Sequence, residues 1–151
     1  MLDSKLLTFA FGAIIYSLGA CTNLNTGRSY DRDPALPDEL PFSSAVIVGN
    51  TIYLSGEIGR APGAMQVVEG GVGAETTQIF ENYRRTLGRL GSDLSDIVKC
   101  TVFLDDMDKY PEMNVAYAAA FPGDKPARST FGVDGVAAGA ALEIECLAIR
   151  K

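Results

Sequence analysis

"IVKCTVFLDDMDKYPEMNVAYAAAF" occupies residues 97–121 and decides the fold class of this chain. Its first part, Ile97–Asp106, is rich in β-branched and aromatic residues and predicts a strand. Pro111 stands where the first turn of a helix tolerates proline. The helix that follows carries its larger apolar residues on one side, at Met113, Tyr117, Ala120 and Phe121. A strand followed at once by a one-sided helix indicates a helix packed on a sheet.

The chain before this stretch predicts a hairpin and a first helix. Ala45–Gly49 and Ile52–Ile58 are apolar runs joined by a tight turn at Gly49-Asn50, which is typical of a hairpin. Gly73–Leu90 then changes to a helical period, with apolar residues at Ile79, Phe80, Tyr83, Leu87 and Leu90. Gly91 follows as a suitable helix end.

The chain after the central stretch predicts two more strands, Ala127–Val133 and Ala141–Ile149. The element order is therefore β-β-α-β-α-β-β, and the predicted fold class is α+β, a two-layer sandwich with two helices on one sheet. On the last strand, Leu142, Ile144, Cys146 and Ala148 point to one face of the sheet, and Leu147 and Ile149 point to the other. The second face of the sheet is thus expected to be at least partly buried, most simply by another copy of the chain.

Composition excludes several classes of function. The chain of 151 residues carries a formal net charge of −6 and has no basic run, which argues against a nucleic-acid partner. It contains no histidine, so Ser-His-Asp triads, Cys-His pairs and HExxH zinc sites are excluded. No phosphate-binding loop or dinucleotide fingerprint is present. The sequence therefore predicts neither a cofactor nor a metal.

The N-terminal sequence predicts a targeting signal. Leu6–Ala20 is uncharged and largely apolar, too short for a membrane span of about 20 residues but long enough for a signal-peptide core. It ends in "LGAC", which resembles the lipobox of bacterial lipoproteins. We therefore predict a signal peptide over 1–20, a lipidated Cys21, a polar tether over 21–40 and a folded domain over 41–151. The protein would be lipid-anchored in the periplasm of a bacterial cell envelope. The alternatives are a buried N-terminal helix and a cytoplasmic protein.

The other two cysteines, Cys100 and Cys146, lie in apolar strand-like runs. Their spacing does not match a metal site, and we predict that they are small core residues. The alternative is a disulfide between them, which an oxidising compartment would permit.

Five motifs in register resemble the RidA (YjgF) family: "SGEIG", "IVKCTVFLDDM", "MNVAYAAAF", "KPARSTFGV" and "EIECLAIR". The resemblance runs from Pro41 to the C-terminus. It implies a chorismate-mutase-like fold assembled as a homotrimer, with ligand clefts between subunits. It also implies cofactor-free hydrolysis of 2-enamine or 2-imine intermediates of amino acids to 2-keto acids and ammonia.

The resemblance assigns two catalytic residues. Arg128 falls on the substrate-binding arginine of the family, and its planar fork suits a carboxylate. Glu143 falls on the glutamate that handles the attacking water, and we expect the turn between the last two strands to bring it near Arg128. Glu145 shares its face of the strand, so the choice of Glu143 depends on register alone. The alternative for Arg128 is a structural ion pair with Glu143 or Glu145.

Three more residues are predicted to bind substrate. Asn114 matches an asparagine that lines the family's cleft; the alternative is a helix residue that bonds its own backbone. Ser55 and Gly56 match a spot where backbone N–H groups grip the carboxylate, and glycine allows that close approach. The alternative for this pair, a bulge at a strand end, is compatible with that role.

The chain departs from the family at three positions of the predicted site. Phe42 replaces a tyrosine, Thr130 replaces a common cysteine, and Glu57 replaces a common glutamine. Tyr117 is a candidate for the missing hydroxyl. These departures leave an alternative function open, in which the protein is a non-catalytic trimeric binder of small carboxylates or partner proteins.

Overall fold

Apolar residues at helical spacing and at strand spacing form the regular structure of residues 27–151, the part of the chain that the computed structural model describes. The strands are β1 (Arg28–Asp31), β2 (Ala45–Val48), β3 (Thr51–Ile58), β4 (Ile97–Leu104), β5 (Ala127–Gly132) and β6 (Leu142–Ile149). The helices are α1 (Gly71–Arg89) and α2 (Tyr110–Ala120). The predicted α+β fold class is confirmed.

The six strands form one mixed sheet in the order β1-β2-β3-β6-β4-β5. β4 and β5 are parallel, and every other neighbouring pair is antiparallel. The predicted hairpin of β2 and β3 is confirmed, and Gly49 supplies the positive φ of 60° at its turn. The last strand, β6, lies between β3 and β4, so that β4 separates it from β5.

The core lies between the sheet and the two helices. One row of β6 is buried there, and the other row is half-buried or exposed, as the alternation predicts. From the helices, Phe80 of α1 and Tyr117 of α2 contact one another edge to face, with ring centroids 5.2 Å apart. The predicted apolar side of α2 is buried at Met113, Tyr117 and Phe121.

The opposite face of the sheet carries apolar side chains that no element of residues 27–151 covers. Tyr53 is 48% exposed and Phe131 is 54% exposed. Val48 and Ile149 are also exposed, and Leu147 is half-buried. The trimer that would cover this face stays a prediction.

The sheet has one strand more than the sequence predicted, because β1 lies inside the predicted tether. Its side chains are mostly exposed, so it has no apolar pattern to detect. Ion pairs tie this segment to α1: Arg89 donates to Asp31 at 2.8 Å, and Arg85 donates to Asp33 at 3.0 Å. At least residues 28–31 therefore belong to the folded domain.

Cys100 and Cys146 form a disulfide between β4 and β6. They are register partners on neighbouring antiparallel strands, with Cα atoms 4.1 Å apart, and both are buried. The predicted core position is confirmed, and the disulfide that we took as the alternative is present.

The predicted signal peptide and Cys21 lie outside the described residues. Within residues 27–151, neither helix combines the length and hydropathy needed to cross a bilayer.

Candidate functional site

Arg128 lies on β5 and points toward α2. Its register partner on β4 is Cys100, whose side chain faces the helices, so the guanidinium emerges on the same side. Nη2 donates to the Tyr110 hydroxyl at 2.8 Å, and Cζ lies 4.6 Å from the ring centroid of Tyr117. Aromatic faces stabilise a cation without neutralising it. Within residues 27–151, Arg128 has no carboxylate partner, so the alternative ion pair with Glu143 or Glu145 is wrong for the single chain.

The guanidinium borders an open cleft of about 550 Å³, the Arg128 cleft. Asn114, Tyr117, Lys125 and Thr130 also line it. The Tyr117 and Thr130 hydroxyls are buried and have no hydrogen-bond partner among residues 27–151. Burial raises the pKa of Tyr117 to about 12 despite the opposing effect of the Arg128 charge, so its hydroxyl stays a donor. The cleft thus offers a cation to a small polar anion, with the two hydroxyls buried in the wall behind it.

Glu143 lies on β6 and borders a different cleft of about 410 Å³, the Glu143 cleft. Phe42, Ser55 and Gly56 line the same cleft. Gly56 leaves the space that the carboxylate occupies, because a Cβ at this position would lie 1.9 Å from Glu143 Oε1. Four of the predicted site residues are therefore together here.

A bulge in β3 shapes the floor of the Glu143 cleft. The register of β3 against β6 shifts between Leu54 and Glu57, as the alternative for Ser55 and Gly56 anticipated. The single proton of the buried Tyr83 hydroxyl is shared between the carbonyl oxygen of Ser55, 2.9 Å away, and that of Ile144. Helix α1 thereby holds the bulge against β6.

Glu143 and Glu145 have different surroundings, although they share a face of β6. Glu145 is exposed and lines a pocket on the uncovered sheet face with Tyr53, Lys99 and Gly56, whereas Phe42 lines the Glu143 cleft and not this pocket. Burial raises the pKa of the Glu143 carboxyl, and the charge of Glu145 raises it further. A raised pKa makes Glu143 the stronger proton acceptor once it is ionised.

Glu57 points away from the Glu143 carboxylate. Its register partner is Ile144, on the helix-covered face, and its Oε1 accepts a hydrogen bond from Asn82 Nδ2 at 3.1 Å. Burial raises the pKa of Glu57, although Arg60 and Asn82 act in the opposite direction. Glu57 therefore lines the Glu143 cleft as well, but its carboxylate faces Asn82 and Arg60 rather than Glu143.

The two clefts are separate within one chain, and the expected approach of Arg128 to Glu143 is wrong. β4 lies between their strands. Arg128 lies in register with Cys100 and Cys146 on the helix side, whereas Glu143 is three residues from Cys146 and faces the other side. The prediction failed because it treated β5 and β6 as a hairpin, while β5 pairs in parallel with β4.

Three polar lining residues escaped the sequence analysis: Tyr110 and Lys125 of the Arg128 cleft, and Arg60 of the Glu143 cleft. Tyr110 could have been found, because it precedes Asn114 by four residues and Tyr117 by seven on one helix face. The loop position of Arg60 has no comparable signal. No cluster of metal-ligating side chains occurs among residues 27–151.

Comparison with known proteins shows which family this chain resembles. The model of the family described as endoribonuclease L-PSP matches residues 34–150. The human protein named 2-iminobutanoate/2-iminopropanoate deaminase is 39% identical over 110 residues, which are 73% of this chain and 80% of the human protein. The mitochondrial protein mmf1 of Schizosaccharomyces pombe is 40% identical over 78% of this chain and 73% of its own length.

Solved structures agree with the sequence comparison. The crystal structure of RidA from the Antarctic bacterium Psychrobacter sp. superposes with a TM-score of 0.74 and 32% identity. It covers 80% of this chain and 98% of its own.

Proposed function

The chain belongs to the endoribonuclease L-PSP family, which includes the RidA and YjgF proteins, and from this premise we propose that it hydrolyses 2-imino acids to 2-keto acids and ammonia. The observation that carries the proposal is that the Arg128 guanidinium borders an open cleft and has no carboxylate partner among residues 27–151. A relative named for this activity shares 39% of its residues over the matched region.

Arg128 binds the α-carboxylate of the substrate in this proposal. Its fork donates two parallel hydrogen bonds to a carboxylate and stays charged at every physiological pH. Tyr110 fixes the orientation of the fork through its hydroxyl. Asn114 and Thr130, on the same cleft, hold the imine nitrogen or the leaving ammonia through hydrogen bonds.

Glu143 orients the attacking water and accepts its proton. The water oxygen bonds to C2 of the iminium, and the electron pair of the C=N double bond moves to nitrogen. Glu143 returns that proton to nitrogen. As the C–N bond breaks, Glu143 accepts the proton of the new C2 hydroxyl and passes it to the departing ammonia, so that a 2-keto acid and ammonium leave. One iminium and one water are consumed, so atoms and charge balance without a redox cofactor.

The reaction needs both clefts, and one chain keeps them apart. We therefore propose that the site forms between subunits of a homotrimer, with the Arg128 cleft of one chain facing the Glu143 cleft of the next. The apolar uncovered face of the sheet supports such an assembly.

Mixed oligomers of two inactive variants test this arrangement. Arg128→Ala and Glu143→Gln are each expected to lose imine hydrolysis when pure, since each lacks one half of every site. After the two are denatured together and refolded, about a quarter of the interfaces receive both intact halves, and activity returns to that extent. Assays follow the loss of 2-iminobutanoate generated in situ by an amino-acid oxidase. A mixture that stays inactive, while refolded wild type recovers, would contradict a shared site.

A second candidate function is binding of small carboxylates without turnover. It is favoured by Phe42, whose ring supplies no hydroxyl to the Glu143 cleft. Wild type that binds 2-oxobutanoate but leaves the imine lifetime unchanged would support it. The acidic charge of −6 gives no comparable support for RNA cleavage.

The lipid anchor at Cys21 and the periplasmic location remain part of the proposal. The Cys100–Cys146 disulfide is compatible with them, because disulfides persist in oxidising compartments. Mass spectrometry of protein extracted from membranes is expected to find a lipidated Cys21, and full-length unmodified chain in the soluble fraction would contradict the anchor.

A further inference from the structure

Arg60 places a guanidinium in the Glu143 cleft, which Arg128 does not line. It lies two residues after β3, and a bridge between the backbones of Arg60 and Val67 holds it at the cleft wall. Its side chain is only 16% exposed. The cation is therefore largely withdrawn from bulk water, in the wall of the cleft that Glu143 also lines.

This guanidinium has unused hydrogen-bonding capacity. It donates no hydrogen bond within residues 27–151, and its Nε is buried without an acceptor. Its one ion pair in that region joins Nε to Glu57 Oε1 across 3.9 Å, too long for a hydrogen bond. The same oxygen already accepts from Asn82. The Nε is shielded from the cleft as well as from water, so an anion in the cleft would meet the two Nη groups, which donate no hydrogen bond within residues 27–151.

We propose that Arg60 binds a second carboxylate at the far end of the substrate, and that the substrate class is therefore 2-imino dicarboxylic acids. This inference rests on the proposed function, in which Arg128 holds the α-carboxylate and Glu143 directs water. The guanidinium fork of Arg60 suits a carboxylate for the same reason that Arg128 does. Apolar side chains at Leu40, Phe42 and Met65 also line this cleft and offer an apolar surface to the carbon atoms between the two carboxylates.

Kinetic selectivity tests the assignment. Amino-acid oxidases generate 2-iminosuccinate from aspartate and 2-iminobutanoate from 2-aminobutanoate. Arg60→Gln is expected to lower kcat/KM for 2-iminosuccinate by about 10- to 100-fold, the loss typical of a charge-assisted hydrogen bond, and to change that for 2-iminobutanoate by less than about twofold. The matched control is Arg84→Gln, since Arg84 is an exposed arginine on α1 that lines neither cleft. It is expected to leave both rates unchanged.

Binding of the keto-acid products gives a readout that does not depend on turnover. Titration with oxaloacetate and with 2-oxobutanoate is expected to show that Arg60→Gln weakens only the dicarboxylate. Arg60→Lys keeps the charge without the fork and is expected to lie between wild type and Arg60→Gln. If Arg60→Gln does not fold, the binding comparison is made between wild type and Arg60→Lys alone, and weaker binding of the dicarboxylate only is the expected result.

The outcomes separate this inference from the proposed function. Turnover of both imines with a selectivity that Arg60→Gln does not change would overturn the role of Arg60 and leave the deaminase proposal standing. The other outcome is that wild type turns over neither imine but binds the dicarboxylate preferentially, and that Arg60→Gln loses this preference. That result would support the role of Arg60 in binding and contradict the deaminase proposal.

Discussion

At the scale of single residues, Gly56 and Glu143 depend on one another. The carboxylate occupies the space where any other residue at position 56 would place its Cβ. The clashing atom is the end of a flexible side chain, so a Cβ would displace Glu143 at little cost to the fold. A substitution at Gly56 is therefore expected to change activity without a large change in stability.

Gly56→Ala is expected to lower kcat for imine hydrolysis by about 10²-fold or more, because a displaced Glu143 no longer serves as general base. The midpoint of thermal unfolding is expected to change little. The matched control is Gly88→Ala on α1, where a Cβ meets nothing within 4 Å. It is expected to keep full activity and to raise the free energy of unfolding by about 0.5–1 kcal/mol. Equal activity in the two variants would mean that Glu143 is not the base.

In the proposed reaction, Glu143 also sets the pH dependence. Burial and the charge of Glu145 raise the pKa of Glu143, so as pH falls the base is protonated above the ordinary glutamate value of about 4.3. Glu145→Gln removes the repelling charge and lowers that pKa. The acidic limb of the kcat profile is therefore expected to move to lower pH in Glu145→Gln, with kcat at neutral pH nearly unchanged. A profile that does not move would show that the limb reports another group.

At the scale of elements, the disulfide joins the two strands on which the clefts depend. Glu143 lies on β6. Arg128 lies on β5, which pairs in parallel with β4. The Cys100–Cys146 bond links positions 46 residues apart in sequence, which restricts the unfolded chain. It therefore stabilises the centre of the sheet between the clefts.

Reduction of this bond is expected to lower the free energy of unfolding by about 2–4 kcal/mol. Denaturant titrations with and without reductant measure the difference. A variant with Cys100→Ala and Cys146→Ala has no bond to lose and is expected to respond to reductant by less than about 0.5 kcal/mol. Free thiols in unfolded wild type that was purified without reductant would contradict the bond.

At the scale of the whole molecule, a homotrimer would account both for the uncovered face of the sheet and for the separation of the two clefts in one chain. Tyr53 and Phe131 are exposed apolar side chains on this face in the single chain. Association of three chains would bury them and would also provide each Arg128 cleft with a Glu143 cleft. The assembly and the chemistry are thus expected to be lost together.

Light scattering is expected to give wild type a mass about three times the 16.0 kDa of one chain. Tyr53→Glu places a charge at the centre of the uncovered face and is expected to dissociate the oligomer and abolish hydrolysis. Val115→Glu is the control, because Val115 is 74% exposed on α2 and lies on the helix side of the sheet. It is expected to remain assembled. An active Tyr53→Glu monomer would contradict the shared site.

Much of this architecture could be predicted from local pattern. Period-two runs located β2 to β6, helical spacing located α1 and α2, and the alternation along β6 separated the buried row from the open one. β1 was missed because its residues are polar and its stability comes from Asp31 and Asp33 pairing with α1. The site residues were found through motifs in which each residue sits beside a recognisable strand or turn.

What the sequence by itself determined is the inventory: which segments other than β1 are strands and helices, which face of each is apolar, and, through the family motifs, which side chains are candidates for the chemistry. Only the tertiary structure decided that β6 enters the sheet between β3 and β4, which sends Arg128 and Glu143 to opposite faces and brings Cys100 against Cys146. It alone placed Arg60 in the Glu143 cleft. The physical reason is that periodicity reports the environment of one segment, whereas strand order depends on long-range pairing that no local pattern records.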